Sequence, residues 1–186
     1  MTITADQIPG YRAGTWVIDP THSSVGFSIR HLAISKVRGK FESFEATIVT
    51  AENPADSTAA GSAEVASINT NEPNRDAHLR TGDFFDTDSY PKLTFSATGV
   101  RIEGGDFKVD GELTMRGVTK PVVFDLAFGG IGEDPYGNVK LGFEATTVVK
   151  RADFGLTWNT ALETGGVLLG ADVTISIDAQ AVLQQN

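Results

Sequence analysis

Three histidines are the side chains in this sequence whose type could support metal binding or proton transfer. They are His22, His31 and His78. A zinc or iron site could use all three, but His22 and His31 are nine positions apart. An odd spacing would place them on opposite faces if one regular strand spanned both. We therefore expect no metal site.

Two of the histidines lie beside carboxylates, so either pair could act as an acid–base couple: Asp19 with His22, or Asp76 with His78. Around Asp19-Pro20 the sequence is also typical of a turn in which the Asp side chain bonds the backbone two residues on. The sequence contains no Gly-x-Ser-x-Gly nucleophile elbow and no phosphate-cradling glycine loop. It indicates no catalytic residue and no cofactor, and an enzyme with a histidine base remains an alternative.

A polar group on a short predicted helix could contact the head group of an amphiphilic ligand. The helix is predicted from Arg75 to Thr81, with Asn71 as its N-cap and Gly82 ending it. The same side chains could equally form a satisfied structural network beside two phenylalanines. The head-group candidates are His22, Arg75, Asp76, His78 and Arg80.

Alternating apolar residues predict the strands that position these side chains. Between residues 91 and 128, apolar and polar residues alternate in three runs, which is typical of half-buried antiparallel strands. Short breaks at Gly104-Gly105 and Gly117-Val118 make the three strands hairpin neighbours. Similar runs lie at residues 16–18, 24–32, 37–49, 139–149 and 171–182, with a less regular one at 62–70, and the count is about eight substantial strands. A bulge is expected near Ser43, where the parity flips.

Eight strands and one short helix predict an all-β fold, either an antiparallel up-and-down barrel or a sandwich. Short links between consecutive strands favour the barrel, whose interior is either filled by side chains or able to hold one small ligand. Small residues recur on the predicted inner face between phenylalanines: Gly39, Ala97, Gly99, Gly111, Ala145, Ala179 and Ala181. They leave room for a ligand unless large side chains opposite fill the space.

The apolar inner face predicts a tunnel for a long lipid chain, which would need neither catalyst nor metal. Ligand contact and plain core packing select the same residue types, so both roles remain open for each candidate. Phe107→Trp or Gly111→Phe should fill such a tunnel. The lipid-binding candidates are Phe27, Ile29, Phe41, Phe95, Phe107, Val109, Leu113, Phe124, Phe143 and Ile175.

Composition limits the other possibilities. The formal charge of −9 and the lack of an evident Lys/Arg cluster argue against nucleic-acid binding and against an anionic membrane surface. The sequence has no cysteine, no signal-peptide pattern and no apolar run long enough to span a membrane. We expect a cytoplasmic protein without stable membrane insertion. It should have a polar lead-in at residues 1–14 and one barrel domain at residues 15–186.

Several segments together resemble the YceI-like family, also called the polyisoprenoid-binding family. The resemblance implies a lipocalin-like, eight-stranded barrel with one or two short helices. It also implies a pore holding a long-chain isoprenoid, such as a polyprenyl or quinone, or an acyl lipid, often in a homodimer. A stress or interaction module without a ligand is the third alternative. The segments are residues 16–27 (WVIDPTHSSVGF), 37–41 (VRGKF), 75–80 (RDAHLR), 83–85 (DFF), 90–91 (YP), 111–119 (GELTMRGVT) and 151–156 (RADFGL).

Overall fold

The computed structural model describes residues 2–185 and shows a closed antiparallel β-barrel. Residues 1 and 186, the outer limits of the predicted lead-in and domain, lie outside the described residues. The helix is α1 (Pro73–Arg80), and the strands are β1 (Gly14–Ile18), β2 (Ser24–His31), β3 (Ser35–Phe41), β4 (Phe44–Thr50), β5 (Thr58–Glu64), β6 (Ile68–Asn69), β7 (Lys92–Glu103), β8 (Asp106–Met115), β9 (Val118–Glu133), β10 (Val139–Lys150) and β11 (Leu169–Leu183).

The eleven strand segments form a barrel of eight long strands, since three of the long strands are each interrupted once. Both β1 and β2 pair with β11, so together they make one broken strand. The second broken strand consists of β3, which pairs with β2, and β4, which pairs with β1. The third consists of β5, which pairs with β4, and β6, which pairs with β3. Each strand is then hydrogen-bonded to its neighbours in chain order, and the pairing of β1 with β11 closes the sheet. The predicted up-and-down barrel is confirmed, and closure leaves no long sheet edge exposed.

The bulge expected near Ser43 is a wider irregularity in which two neighbouring strands break side by side. Residues 42 and 43 separate β3 from β4, and a 3-10 turn at Val65–Ser67 separates β5 from β6. The Ser67 hydroxyl accepts hydrogen bonds from the backbone N–H groups of Glu42 and Ser43, both at 3.0 Å. These bonds replace the ladder bonds that the break removes. Phe41 and Phe44 can therefore both line the barrel interior.

The helix α1 begins two residues earlier than predicted and has a different cap. Glu72 is the N-cap, and its carboxylate accepts from the backbone N–H groups of Asn74 and Arg75. Asn71 instead adopts a left-handed conformation with φ of 62°. We call the end of the barrel where α1 lies the helix end.

Residues 2–13 fold across the opposite end, which we call the N-terminal end. Ile3 is only 1% exposed, and both Ile3 and Ile8 line the barrel interior. The Tyr11 hydroxyl anchors the segment by donating a 2.5 Å hydrogen bond to the carbonyl of Ala51, next to the end of β4. The segment predicted to be a polar lead-in thus supplies apolar side chains to the barrel.

Candidate functional site

The barrel encloses a cavity of about 520 Å³, lined almost wholly by apolar side chains. Side chains from every barrel strand contribute to its wall, and it runs from Ile3 at the N-terminal end to Trp158 at the helix end. Close-packed interiors contain few voids larger than a water molecule, whereas ligand pockets occupy about 300–1,000 Å³. The barrel interior is therefore not filled by its own side chains, and the cavity has the size of a binding site. Of the small residues, Ala97, Ala145 and Ala179 line it.

All ten side chains proposed for lipid contact line this cavity, while their role in binding stays a prediction. Alternation along the strands was sufficient to place them, because successive side chains point to opposite faces of a sheet. The ten are Phe27, Ile29, Phe41, Phe95, Phe107, Val109, Leu113, Phe124, Phe143 and Ile175.

Four of the seven small residues do not line the cavity as expected. Ala181 is packed in the core with Trp16, and the other three are glycines. The rings of Phe27 and Phe95 lie over Gly39 and Gly111, so both glycines are places where a ring packs against bare backbone. A side chain at Gly111 would overlap Phe95, so the expectation that Gly111→Phe fills an open tunnel is wrong. Gly99 follows a register shift in β7, after which Val100 lines the cavity in its place.

Aromatic side chains cover the helix end of the cavity. His78 on α1 lies edge-on to Phe84 and to Trp158, with ring centroids 5.0 Å apart in each pair. Phe84 and Trp158 are themselves 5.1 Å apart. Nε2 of His78 lies 2.8 Å from a carboxylate oxygen of Asp83. The cluster thus places the imidazole of His78 in a cavity wall that is mostly apolar.

The predicted polar group on α1 is largely a structural network. The Thr70 hydroxyl accepts a 2.8 Å hydrogen bond from Nε of Arg75 and donates a 2.6 Å bond to the buried carboxylate of Asp76. The Arg80 guanidinium donates to the carbonyls of Ala66 and Ile68. Of the five head-group candidates, only Arg75 and His78 line the cavity, whereas Asp76 and Arg80 hold α1 against residues 66–70.

Arg151 is a cavity-lining cation that the sequence reasoning did not single out. It is 6% exposed, and it donates to the carbonyls of Gly170, Leu156 and Trp158 at 2.6–2.9 Å. Burial lowers the pKa of its guanidinium below the ordinary value. Among the described residues it has no carboxylate partner. The sequence signal for this role is that Arg151 directly follows the alternating residues of β10.

His22 lies on the outer surface and does not line the cavity. Its Nδ1 is 2.8 Å from a carboxylate oxygen of Asp19, whose other oxygen accepts from the backbone N–H of Thr21. The turn interpretation of Asp19 is thus confirmed. Hydrogen bonds from Thr21 and His22 hold the pKa of Asp19 well below its usual range. Across residues 2–185, no three His, Cys, Asp or Glu side chains are grouped to hold a metal ion.

Asp19→Asn should lower the melting temperature near neutral pH and make the protein less sensitive to acid. Because folding lowers the pKa of Asp19, its carboxylate contributes stability above the unfolded pKa of about 4 and loses it as pH falls further. Thermal melts across this range should show the wild-type and variant curves converging at low pH. Asp88→Asn, at an exposed carboxylate, should run parallel to wild type. Parallel curves for Asp19→Asn would contradict the assignment.

The hairpin formed by β2 and β3 carries a basic cluster, contrary to the expectation that none exists. Arg30, Lys36, Arg38 and Lys40 all have exposed side chains on these two adjacent strands. No Asp or Glu occurs between residues 24 and 41. On β3 the bases alternate with Val37, Gly39 and Phe41, and β2 carries only Arg30, so the cluster is inconspicuous in the sequence. Separately, no helix in the described chain is long and apolar enough to cross a membrane.

Comparison with known proteins gives one consistent result. The YceI-like domain model matches residues 16–181. A UPF0312 protein of Staphylococcus aureus is 38% identical over 167 residues, which is 89% of this chain and 95% of that protein.

Solved structures share the barrel. The Campylobacter jejuni YCEI protein superimposes with a TM-score of 0.72 at 32% identity, covering 84% of this chain and 91% of that one. A polyisoprenoid binding domain from Saccharophagus degradans superimposes with a TM-score of 0.69 at 16% identity, covering 93% of this chain and all of that one. At that identity the second likeness shows the fold alone.

Proposed function

This chain belongs to the YceI-like family, and from that premise we propose that it binds one long-chain lipid inside its barrel. The observation that carries the proposal is the apolar cavity of about 520 Å³ running between the barrel ends. An extended hydrocarbon gains about 0.8 kcal/mol for each methylene removed from water, so a long chain binds without any specific polar contact. Apolar cavities of this kind hold apolar ligands rather than water.

The lipid should have a polar head at the helix end. Two guanidinium groups, Arg75 and Arg151, line the cavity there, and neither has a carboxylate partner among the described residues. Guanidinium groups favour phosphate, carboxylate or carbonyl oxygens as acceptors. A polyprenyl phosphate, an isoprenoid quinone or a fatty acid meets this requirement, with its tail extending towards Ile3. The polyisoprenoid-binding neighbour from S. degradans is consistent with this class of ligand.

Organic extraction of freshly purified protein, followed by mass spectrometry, tests the proposal directly. We expect one lipid with a long hydrocarbon chain in roughly equimolar amount. An extract without lipid, together with failure to take up an added isoprenoid quinone or fatty acid, would favour the interaction module. We also propose that the chain forms the homodimer that the family resemblance implies. Sedimentation velocity tests this by measuring the mass of the protein in solution.

Phe107→Trp should lower the amount of co-purified lipid several-fold while changing stability by less than about 1.5 kcal/mol. Phe107 lines the cavity, so a larger ring there occupies volume that the lipid would use. Val123→Trp is the matched control, because Val123 on β9 is an exposed side chain outside the cavity lining. Lipid content per mole of protein and thermal melts are the two measurements. Similar lipid content in both variants would contradict a ligand near Phe107.

A further inference from the structure

We propose that the β2–β3 hairpin docks this protein on an anionic lipid bilayer, where the barrel exchanges its ligand. The proposal rests on the lipid-binding function proposed above and adds where the ligand is taken up and released. Four bases and no acid give the hairpin, residues 24–41, a formal charge of +4 in a chain of net charge −9. Charge of opposite sign to the rest of the molecule, concentrated on one element, indicates an anionic partner.

The basic groups of the hairpin are available to a partner. Arg30 and Lys36 face each other across the strands, and Ser28 faces Arg38. Arg30, Lys36 and Arg38 form no ion pair with the described carboxylates, and only Lys40 lies near one, at 3.6 Å from Glu42. On the adjoining strand β11, Asp172 lies in the register shift opposite Arg30, and it is exposed and forms no ion pair among the described residues. The four bases of the hairpin thus outnumber the two acids that adjoin them, Glu42 and Asp172.

The tip of the hairpin is apolar and unusually exposed. Ile34 is 79% exposed and Leu32 37%, and both precede the bases of β3 in a tight turn. Val167, 50% exposed, lies beside them, because the N–H of Leu32 donates a 2.9 Å hydrogen bond to the carbonyl of Leu168. An apolar tip flanked by Lys and Arg matches a bilayer surface, in which apolar side chains enter the interface and bases contact anionic head groups. Nucleic acid would use the bases but not the apolar tip.

The hairpin also adjoins the cavity at the helix end. Ile29, His31 and Val37 on its inner face line the cavity, as do Leu168 and Leu169 on the neighbouring segment. A barrel docked through this tip would therefore hold its ligand close to the bilayer. A lipid leaving the cavity near His31 would enter the membrane without crossing bulk water, whose contact with the tail is unfavourable.

Vesicle flotation with the full chain tests the proposal. The protein should bind phosphatidylcholine vesicles containing about 30% phosphatidylglycerol at low salt, and should not bind phosphatidylcholine vesicles. Arg30→Gln/Lys36→Gln should weaken this binding about twentyfold, and Ile34→Ser about tenfold. The first control, Arg12→Gln/Arg101→Gln, removes two positive charges at the opposite end of the barrel, where Arg101 is ion-paired with Glu103 and Asp110. The second, Tyr136→Ser, removes a large exposed side chain there. Both should leave binding unchanged.

Several results would overturn docking. They are no binding to anionic vesicles, equal losses in the controls, preferential binding of the hairpin to duplex DNA, or a dimer that the hairpin variants convert to monomer. Extraction of the same preparations separates this proposal from the lipid-binding function. If the protein contains lipid but does not bind anionic vesicles, only the docking proposal is overturned. If it contains no lipid, the lipid-binding function on which docking rests is overturned.

Discussion

Gly111→Ala is expected to lower the free energy of unfolding by about 3 kcal/mol, although it adds only one methyl group. A Cβ at this position would lie 2.5 Å from Cζ of Phe95 and 2.6 Å from the backbone oxygen of Ser96. The backbone oxygen belongs to the paired strand and cannot move without breaking the β7–β8 ladder. The ring of Phe95 is held as well, because it packs edge-on against Phe124 at 5.1 Å. Neither the Phe95 ring nor the Ser96 oxygen can therefore move aside without a further loss of stability.

Chemical denaturation at equilibrium measures this loss, and Gly132→Ala is its control. Gly132 also lies in a strand, β9, but no atom lies within 4 Å of a Cβ built there. That change should be neutral or slightly stabilising, since alanine restricts the unfolded chain. Phe95→Leu in the Gly111→Ala background should recover only part of the loss, because the Ser96 oxygen remains. Equal stability of Gly111→Ala and wild type would show that the ring does not cover the glycine.

Arg151→Met should cost about 4 kcal/mol of stability and loosen the helix end of the barrel. The three carbonyls that the guanidinium holds, those of Gly170, Leu156 and Trp158, would lose their donor in a buried setting. They belong to β11 and to the segment between β10 and β11, so one side chain ties that segment to the barrel. We expect a melting temperature lower by about 10 °C and faster amide exchange at Trp158.

Arg116→Met provides the comparison for Arg151. Arg116 also donates to two carbonyls at the helix end, those of Gly155 and Gly82, but its hydrogen bonds are exposed to solvent. Water can replace the lost donor there, so the cost should be about 1 kcal/mol or less. Arg151→Lys should restore part of the stability. If Arg151→Met and Arg116→Met lowered stability by the same small amount, Arg151 would not be what holds the segment between β10 and β11 against the barrel.

Much of the barrel was accessible from the sequence, because strand periodicity needs no tertiary information. The alternation of Phe107, Val109 and Leu113 with polar residues gave their inward orientation directly. Alternation fails where the ladder is irregular. Gly99 keeps the parity of Ala97 in the sequence, but the register shift between them brings Val100 inward. Similarly, the sequence cannot show that a ring from Phe95 covers Gly111, since that depends on the rotamer chosen in the packed sheet.

The candidate site was less accessible than the fold. Arg75 and His78 were found through their helix, but Arg151 reaches the cavity only because the chain turns back after β10. Net charge averages over the whole chain and therefore hides the basic cluster on the hairpin. The bases of β2 and β3 are separated in sequence by the turn and come together only when Arg30 pairs with Lys36 across the hairpin.

The segment preceding β1 makes the two ends of the barrel unequal. Ile3 and Ile8 line the lumen at the end remote from α1, where Ile3 is almost fully buried, whereas aromatic side chains line it at the other end. A ligand whose polar head lies at the helix end would place its terminal methyl near Ile3. The length of the cavity should then select ligands by the length of their hydrocarbon chain more strictly than by the types of bond within that chain.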